Sequence, residues 1–259
     1  MTNIYTNKSS KQLTGRKVLY TGASGGLGID TTIALLENGA EVIAIDRDQL
    51  KNEQLRSQIP VHLSEKLTLA AIDLSDTSAL QSFLDDIISI APIDIVINNA
   101  AIYPSKPFEE FTLEEQRHIH CVNVEAALIC TKAALDGMRA QEWGRIINIT
   151  SITLSGGWEN LTPYVQSKGA LMGLTRAWAR EFGKWGITAN AISPGAFPTD
   201  AEKIHPDPEG YQRFVLDHQS IKRRGKPEDI VATILFLASE GAGFISGQSI
   251  SVDGGWVMQ

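Results

Sequence analysis

The 259 residues carry 23 Lys and Arg against 30 Asp and Glu, a formal charge of −7, with 43% hydrophobic and 20% charged residues. That is ordinary globular composition, long enough for one sizeable core, and its acidic balance leaves no cationic surplus for nucleic acid, since the densest basic run, Lys222-Arg223-Arg224, is met at once by Glu228 and Asp229. No run approaches the roughly 18 apolar residues of a membrane span, and the polar start MTNIYTNKSSKQLT lacks a secretion signal's apolar stretch, so a cytoplasmic location with no membrane partner is expected.

Taken in chain order, residues 1–13 read as a polar extension, and RKVLYT (16–21) is the first short β-branched, apolar run. TGASGGLG follows, then LGIDTTIALLENG, a helix closing on Gly39. Further strands are expected at 41–46, 67–73, 93–98, 144–150, 187–192 and 248–253. Between the fourth and fifth, residues 112–140 read as one helix, opened by a Thr112/Glu115 capping box and carrying apolar residues at spacings of three and four. Pro163 suits the first turn of another helix, 163–184. Segment 193–226 is long, irregular and proline-rich, with a short helix expected near 208–218; such a loop is read as a substrate lid. The alternation predicts a single α/β domain over 1–259, a doubly wound Rossmann-like fold with a mostly parallel seven-stranded sheet. Its ligands should lie beyond the carboxyl ends of the strands.

Those ends carry the chemistry. Gly22, Gly26 and Gly28 let the backbone of the first turn approach a pyrophosphate, and the helix behind them presents unpaired N–H groups and partial positive charge. Asp46 ends the second strand 18 residues after Gly28, near the spacing of a carboxylate that binds an adenosine ribose. A free ribose diol suits Asp46 and a 2′-phosphate does not, which points to NAD over NADP; Arg47 argues the other way. Gly22-Ala23-Ser24-Gly25-Gly26 also fits the G-x-S-x-G nucleophile elbow, but only about 20 mostly polar residues precede Ser24, too few for a hydrolase sheet. Tyr164 and Lys168, one helical turn apart, share a face; Ser151 ends the fifth strand and Asn123 lies on the helix before it. His118 and His120, two apart on a helix, point in opposed directions and cannot chelate one ion, so no metal is expected. Cys121 and Cys130 fall on opposite helix faces and should not bond.

Together these motifs resemble the short-chain dehydrogenase/reductase family over residues 14–256. TGASGGLG looks like its cofactor loop, where Ser24 and Leu27 join the glycines, Asp73-Leu74 like its adenine-contacting pair, and Asn98-Asn99-Ala100 like its segment after strand four, with Asn99 and Ala100 toward the cofactor. Pro194-Gly195 with Phe197 and Thr199 looks like the nicotinamide-side element. Asn123, Ser151, Tyr164 and Lys168 fall where the family places its catalytic tetrad. Ala101 stands where a glycine is usual, Thr150 where a first serine is common, and Tyr20 precedes the threonine.

The resemblance implies hydride transfer between an alcohol or carbonyl substrate and NAD. Tyr164 would handle the proton, its pKa lowered by the positive charges of Lys168 and of the oxidised nicotinamide; Lys168 would also hold the nicotinamide ribose, Ser151 bind the substrate oxygen and Asn123 support a water relay. The substrate pocket is expected to draw on Ile152, Thr153, Trp158 and Asn160, on Ile102 and Tyr103, and on Phe197, His205, Tyr211 and Arg213 of the lid. Aromatic faces mixed with hydrogen-bonding groups suit a sugar or other polar cyclic alcohol. From 200 to 224 five acids balance five bases, so charge selects no anion. A 3-oxoacyl thioester reductase is the alternative, and a non-catalytic dinucleotide sensor the alternative of another class. Ala170, Leu171, Leu174, Ala177 and Trp178, spread around helix 163–184, together with the family pattern around Trp256, point to a homotetramer.

Overall fold

The computed structural model describes residues 11–199, 202 and 206–258. Within them seven strands form one all-parallel sheet, β1 (Lys17–Thr21), β2 (Glu41–Asp46), β3 (Leu67–Ala71), β4 (Ile95–Asn98), β5 (Gly144–Ile149), β6 (Ile187–Pro194) and β7 (Ser249–Val252), in the order β3-β2-β1-β4-β5-β6-β7. The order reverses between β1 and β4, which opens a crevice at their carboxyl ends.

Strand pleating divides the core between the two faces. Val18, Tyr20, Val42, Ala44, Ile95, Ile97 and Ile147 pack with α1 (Gly28–Glu37), α2 (Gln49–Gln58, through Leu55) and α9 (Pro227–Ala238). Leu19, Ile43, Ile45, Val96 and Ile146 face α3 (Thr77–Ile90), α5 (Ala126–Ala140) and α7 (Thr162–Phe182), the last preceded by the short α6 (Thr153–Gly156). Both faces are thus covered, as a parallel sheet requires.

The expected elements form with one difference of kind. The Thr112/Glu115 capping box is present and opens α4 (Leu113–His120), but Cys121–Glu125 then winds as a π-turn before α5 begins. The helix expected over 112–140 is therefore interrupted at Asn123, a wide turn of the kind that gathers at functional sites. Cys121 is half-buried and Cys130 fully buried, and both are free thiols. In α7, Leu171 and Trp178 belong to the core, so only Ala170, Leu174 and Ala177 remain partly or fully exposed from the apolar set around that helix. Beyond β6, α8 (Pro208–His218) forms where a short helix is expected, capped by the Asp207 carboxylate.

At the amino end of β5, Arg145 is almost wholly buried. Its Nε donates to the Ser239 carbonyl at 3.2 Å and its Nη1 to the Gly144 carbonyl at 2.8 Å; the guanidinium lies 4.3 Å from the centre of the Trp143 ring, over which Arg16 also lies at 3.5 Å. Burial holds the Arg145 pKa below its ordinary value, and Glu240 opposes that shift.

Candidate active site

The turn from β1 into α1 is built for close approach. Gly22 has φ +68°, and its N–H donates to the Ile45 carbonyl at 2.8 Å; a Cβ there would fall 2.8 Å from Asn99 Nδ2. That Nδ2 donates at 3.1 Å to the carbonyls of both Thr21 and Gly22, and Thr21 Oγ1 accepts the Asn99 and Ala100 amides, so the ends of β1 and β4 are stitched together. A Cβ on Gly26 would fall 2.7 Å from Thr199 Cγ2, across the cleft mouth, and no side chain caps α1. Gly28 lies behind the turn, where a Cβ would meet the Ala23 and Gly22 carbonyls at 2.4 Å.

A cleft of about 670 Å³ runs along the strand ends. One end is lined by Gly22, Gly26, Leu27, Asp46, Arg47, Asp73 and Leu74, the middle by Asn99, Ala100, Pro194, Gly195, Phe197 and Thr199, and the far end by Ser151, Thr153, Trp158, Tyr164 and Lys168. A carboxylate at the end of β2, a glycine turn beside it and hydroxyls at the opposite end fit an extended dinucleotide with a reacting group at the Tyr164 end. Asp73 Oδ1 accepts from the Ser75 amide and hydroxyl, and these bonds hold its carboxyl below the usual range.

Other expected site residues stand elsewhere. Ser24 is buried and donates to Asn52 Oδ1 at 2.6 Å, an arrangement that fastens the turn to α2 and leaves no exposed nucleophile. Asn123 lies behind the cleft wall: its Oδ1 accepts the Ile102 amide at 2.8 Å, and its Nδ2 donates to the Ile102 carbonyl and to Ser167 Oγ, both at 3.0 Å. Asn160 adopts φ +62° and uses its carbonyl to accept the Lys106 amide; Arg213, on the outer face of α8, pairs with Glu209 at 4.0 Å. Neither lines the cleft. His205 lies outside the described residues. Lys51, which sequence reasoning missed, lines the Asp46 end from the first turn of α2. Its signal was the Asp48 N-cap, which places position 51 back over the end of β2.

At the far end, Lys168 Nζ donates to the Ile149 carbonyl at 2.7 Å and stands 5.4 Å from the centre of the Tyr164 ring. Ser151 Oγ accepts the Thr153 amide at 3.2 Å and the Thr153 hydroxyl at 3.0 Å. Burial pushes the Tyr164 phenol up to about 12, the Ser151 hydroxyl pulling the other way, and burial pushes the Lys168 ammonium down to about 7. The expected lowering of Tyr164 by Lys168 is thus not what these groups alone produce. The ammonium is turned to a backbone carbonyl, and desolvation outweighs the remaining attractions. A phenol held protonated in this way is suited to donating a proton to a substrate oxygen.

This geometry belongs with what the sequence matches. The family described as enoyl-(acyl carrier protein) reductase matches residues 22–257. The chain belongs to the short-chain dehydrogenase/reductase family, and it is an oxidoreductase acting on CH–OH groups with a nicotinamide cofactor. It is 30% identical to a 5-keto-D-gluconate 5-reductase of Escherichia coli K12 over 95% of this chain and 97% of that one. It is 31% identical to a 3-oxoacyl-[acyl-carrier-protein] reductase of Synechocystis, over 95% and 98%. A solved structure from Beutenbergia cavernae, provisionally assigned as an NAD(P)-dependent gluconate 5-dehydrogenase and holding NADP, superposes with a TM-score of 0.88 at 30% identity, covering 96% of this chain and 99% of that one.

Proposed function

We propose that the chain is an NAD-dependent dehydrogenase of polyhydroxylated, sugar-type alcohols and the corresponding ketones. The observation that carries this reading is one continuous cleft with a carboxylate and glycine turn at one end and Ser151, Tyr164, Lys168 and Trp158 at the other. Gly22, Ser24, Gly26, Leu27, Gly28, Asp46, Arg47, Asp73, Leu74, Asn99, Ala100, Tyr164, Lys168, Pro194, Gly195, Phe197 and Thr199 would hold the dinucleotide, some at the cleft surface and others by shaping the backbone behind it. When bound, the nicotinamide supplies the hydride acceptor or donor. Tyr164 Oη gives its proton to the substrate oxygen in reduction and takes it back in oxidation, while Ser151 Oγ hydrogen-bonds the same oxygen. Taking the proton is the harder direction for a phenol near 12, and positive charge brought beside Tyr164 would ease it. Asn123 holds the Ile102 peptide in place, and its location on the π-turn is compatible with a proton relay behind Tyr164.

Asp46 supports NAD, because a carboxylate accepts hydrogen bonds from a ribose diol and repels a 2′-phosphate; Lys51 and Arg47 beside it are the opposing charges. Segment 193–226 would act as the substrate lid, with Tyr211 and Phe197 facing the cleft. The hydroxyl-rich far end favours a polyhydroxylated substrate, in keeping with the substrates named for the Escherichia coli relative. The apolar wall of Trp158, Leu161 and Phe197 and the Synechocystis relative favour a second reading, a 3-oxoacyl thioester reductase. Assays with NAD, NADP and their reduced forms over ketoses, aldonates, polyols and acetoacetyl thioester separate the two. Turnover fastest with polyhydroxylated compounds and NAD is expected; turnover confined to the thioester would overturn the sugar reading, and none with any carbonyl or alcohol would overturn both.

A further inference from the structure

We propose that Tyr103 is a specificity-determining residue whose phenol hydrogen-bonds a substrate hydroxyl on the carbon next to the reacting one. This rests on the reading of the cleft as a site for polyhydroxylated substrates and names the group that would enforce it. Tyr103 lines the cleft and meets the Tyr164 ring edge-on, centroids 6.1 Å apart and planes at 77°. Both rings line the same cleft, so a substrate whose reacting oxygen meets Tyr164 brings its neighbouring carbons toward Tyr103.

Three features fix Tyr103 there. Asn123 grips the Ile102 peptide from both sides, accepting its N–H and donating to its carbonyl, immediately before Tyr103. Pro104 immediately after restricts Tyr103 to extended backbone. The Lys106 amide then donates to the Asn160 carbonyl at 3.0 Å, tying the loop to the segment that precedes α7. A side chain held on such a short, doubly anchored loop is pre-organised, so its hydrogen bond to a ligand loses little to ordering. Proximity to Tyr103 also raises the Tyr164 pKa, which agrees with phenols sharing one space.

The test compares wild type and Tyr103→Phe in the reduction of 2-hydroxycyclohexanone and cyclohexanone, ketones that differ by one vicinal hydroxyl. Where a ketone is not turned over, its competitive inhibition constant against a substrate that is turned over serves instead. Wild type is expected to prefer the hydroxyketone by about tenfold, equivalent to roughly 1.4 kcal/mol, and Tyr103→Phe to bring the ratio to about one. Melting temperature and NAD affinity report whether the variant is folded. A ratio unchanged in Tyr103→Phe, equal loss on both ketones, or no preference in wild type would overturn the inference alone. Absence of turnover with every carbonyl compound would overturn the parent reading and this inference with it.

Discussion

Replacing Lys168 by Met is expected to make the cofactor-free protein harder to unfold while impairing it as an enzyme. The ammonium is buried against the Ile149 carbonyl, and its pKa falls from 10.5 to about 7. Below about pH 7 both folded and unfolded chains hold this proton, and the folded state bears the full cost of burying the charge, about 5 kcal/mol. Between about 7 and 10.5 only the unfolded chain holds it, so wild-type stability climbs with pH; above that range both forms are neutral and the cost is gone. Methionine has no charge to bury, but it leaves the Ile149 carbonyl without its donor, a loss of roughly 1–3 kcal/mol. The balance at pH 7 favours the variant by roughly 2–4 kcal/mol, a rise in Tm of roughly 4–16 °C for a chain of this size. Thermal melts of both proteins from pH 6 to 10, with NAD titrations at pH 7, measure it. A variant that melts below wild type at pH 7, or a gap that fails to narrow toward pH 10, would refute the reasoning; unaltered NAD affinity would remove Lys168 from the ribose site.

Tyr164→Phe keeps the ring in its packing and deletes the proton carrier, so kcat should fall by roughly 10²–10⁴-fold with NAD affinity nearly intact; retention of more than about a tenth of the rate would contradict the assignment. Asp46→Ser should move the kcat/KM preference toward NADP, aided by Arg47 and Lys51, and an unchanged ratio of efficiencies would show that the carboxylate does not select the cofactor. Gly22→Ala places a Cβ 2.8 Å from Asn99 Nδ2 at φ +68°, so a lower Tm and a higher KM for NAD are expected, both readable in one purified variant. Light scattering should give about four times the 28.2 kDa chain mass, in line with large apolar side chains left on the surface, Phe244 fully and Phe236 44% exposed; a mass of one chain at micromolar concentration would exclude the tetramer.

Much of the fold was legible because its signals are local. Each strand is a short β-branched run, Gly39 stops α1 with φ +94°, and the Thr112/Glu115 box starts α4 with the bonds its residue types predict. The cleft was legible wherever its residues end a strand or closely follow one, as Asp46, Asn99, Ser151 and Gly195 do. What escaped depends on contacts distant in sequence. The π-turn at Asn123 goes with bonds to Ile102, 21 residues back, which helical periodicity cannot register. Ser24 has the motif position of a cleft residue, yet its hydroxyl is drawn inward by Asn52 of a later helix. Arg213 and Asn160 were placed by proximity along the chain, whereas helix phase and a left-handed backbone decide where they point. The direction of the Tyr164 shift needed its burial, a property of the assembled fold.

The buried Arg145 has a consequence for the opposite pole of β5. Side chains along a strand alternate between faces, so a slip of one residue against β4 or β6 would send Ser151 to the wrong side of the sheet. A guanidinium bonded to the Ser239 and Gly186 carbonyls, both outside β5, would lose both acceptors on such a slip. Six residues of extended chain, roughly 20 Å, therefore act as a measuring rod fixed at its zero mark. At the far end, the Ile149 carbonyl that Lys168 grips lies at the matching graduation, so a charge remote from the reacting centre keeps the serine, the tyrosine and the lysine in step.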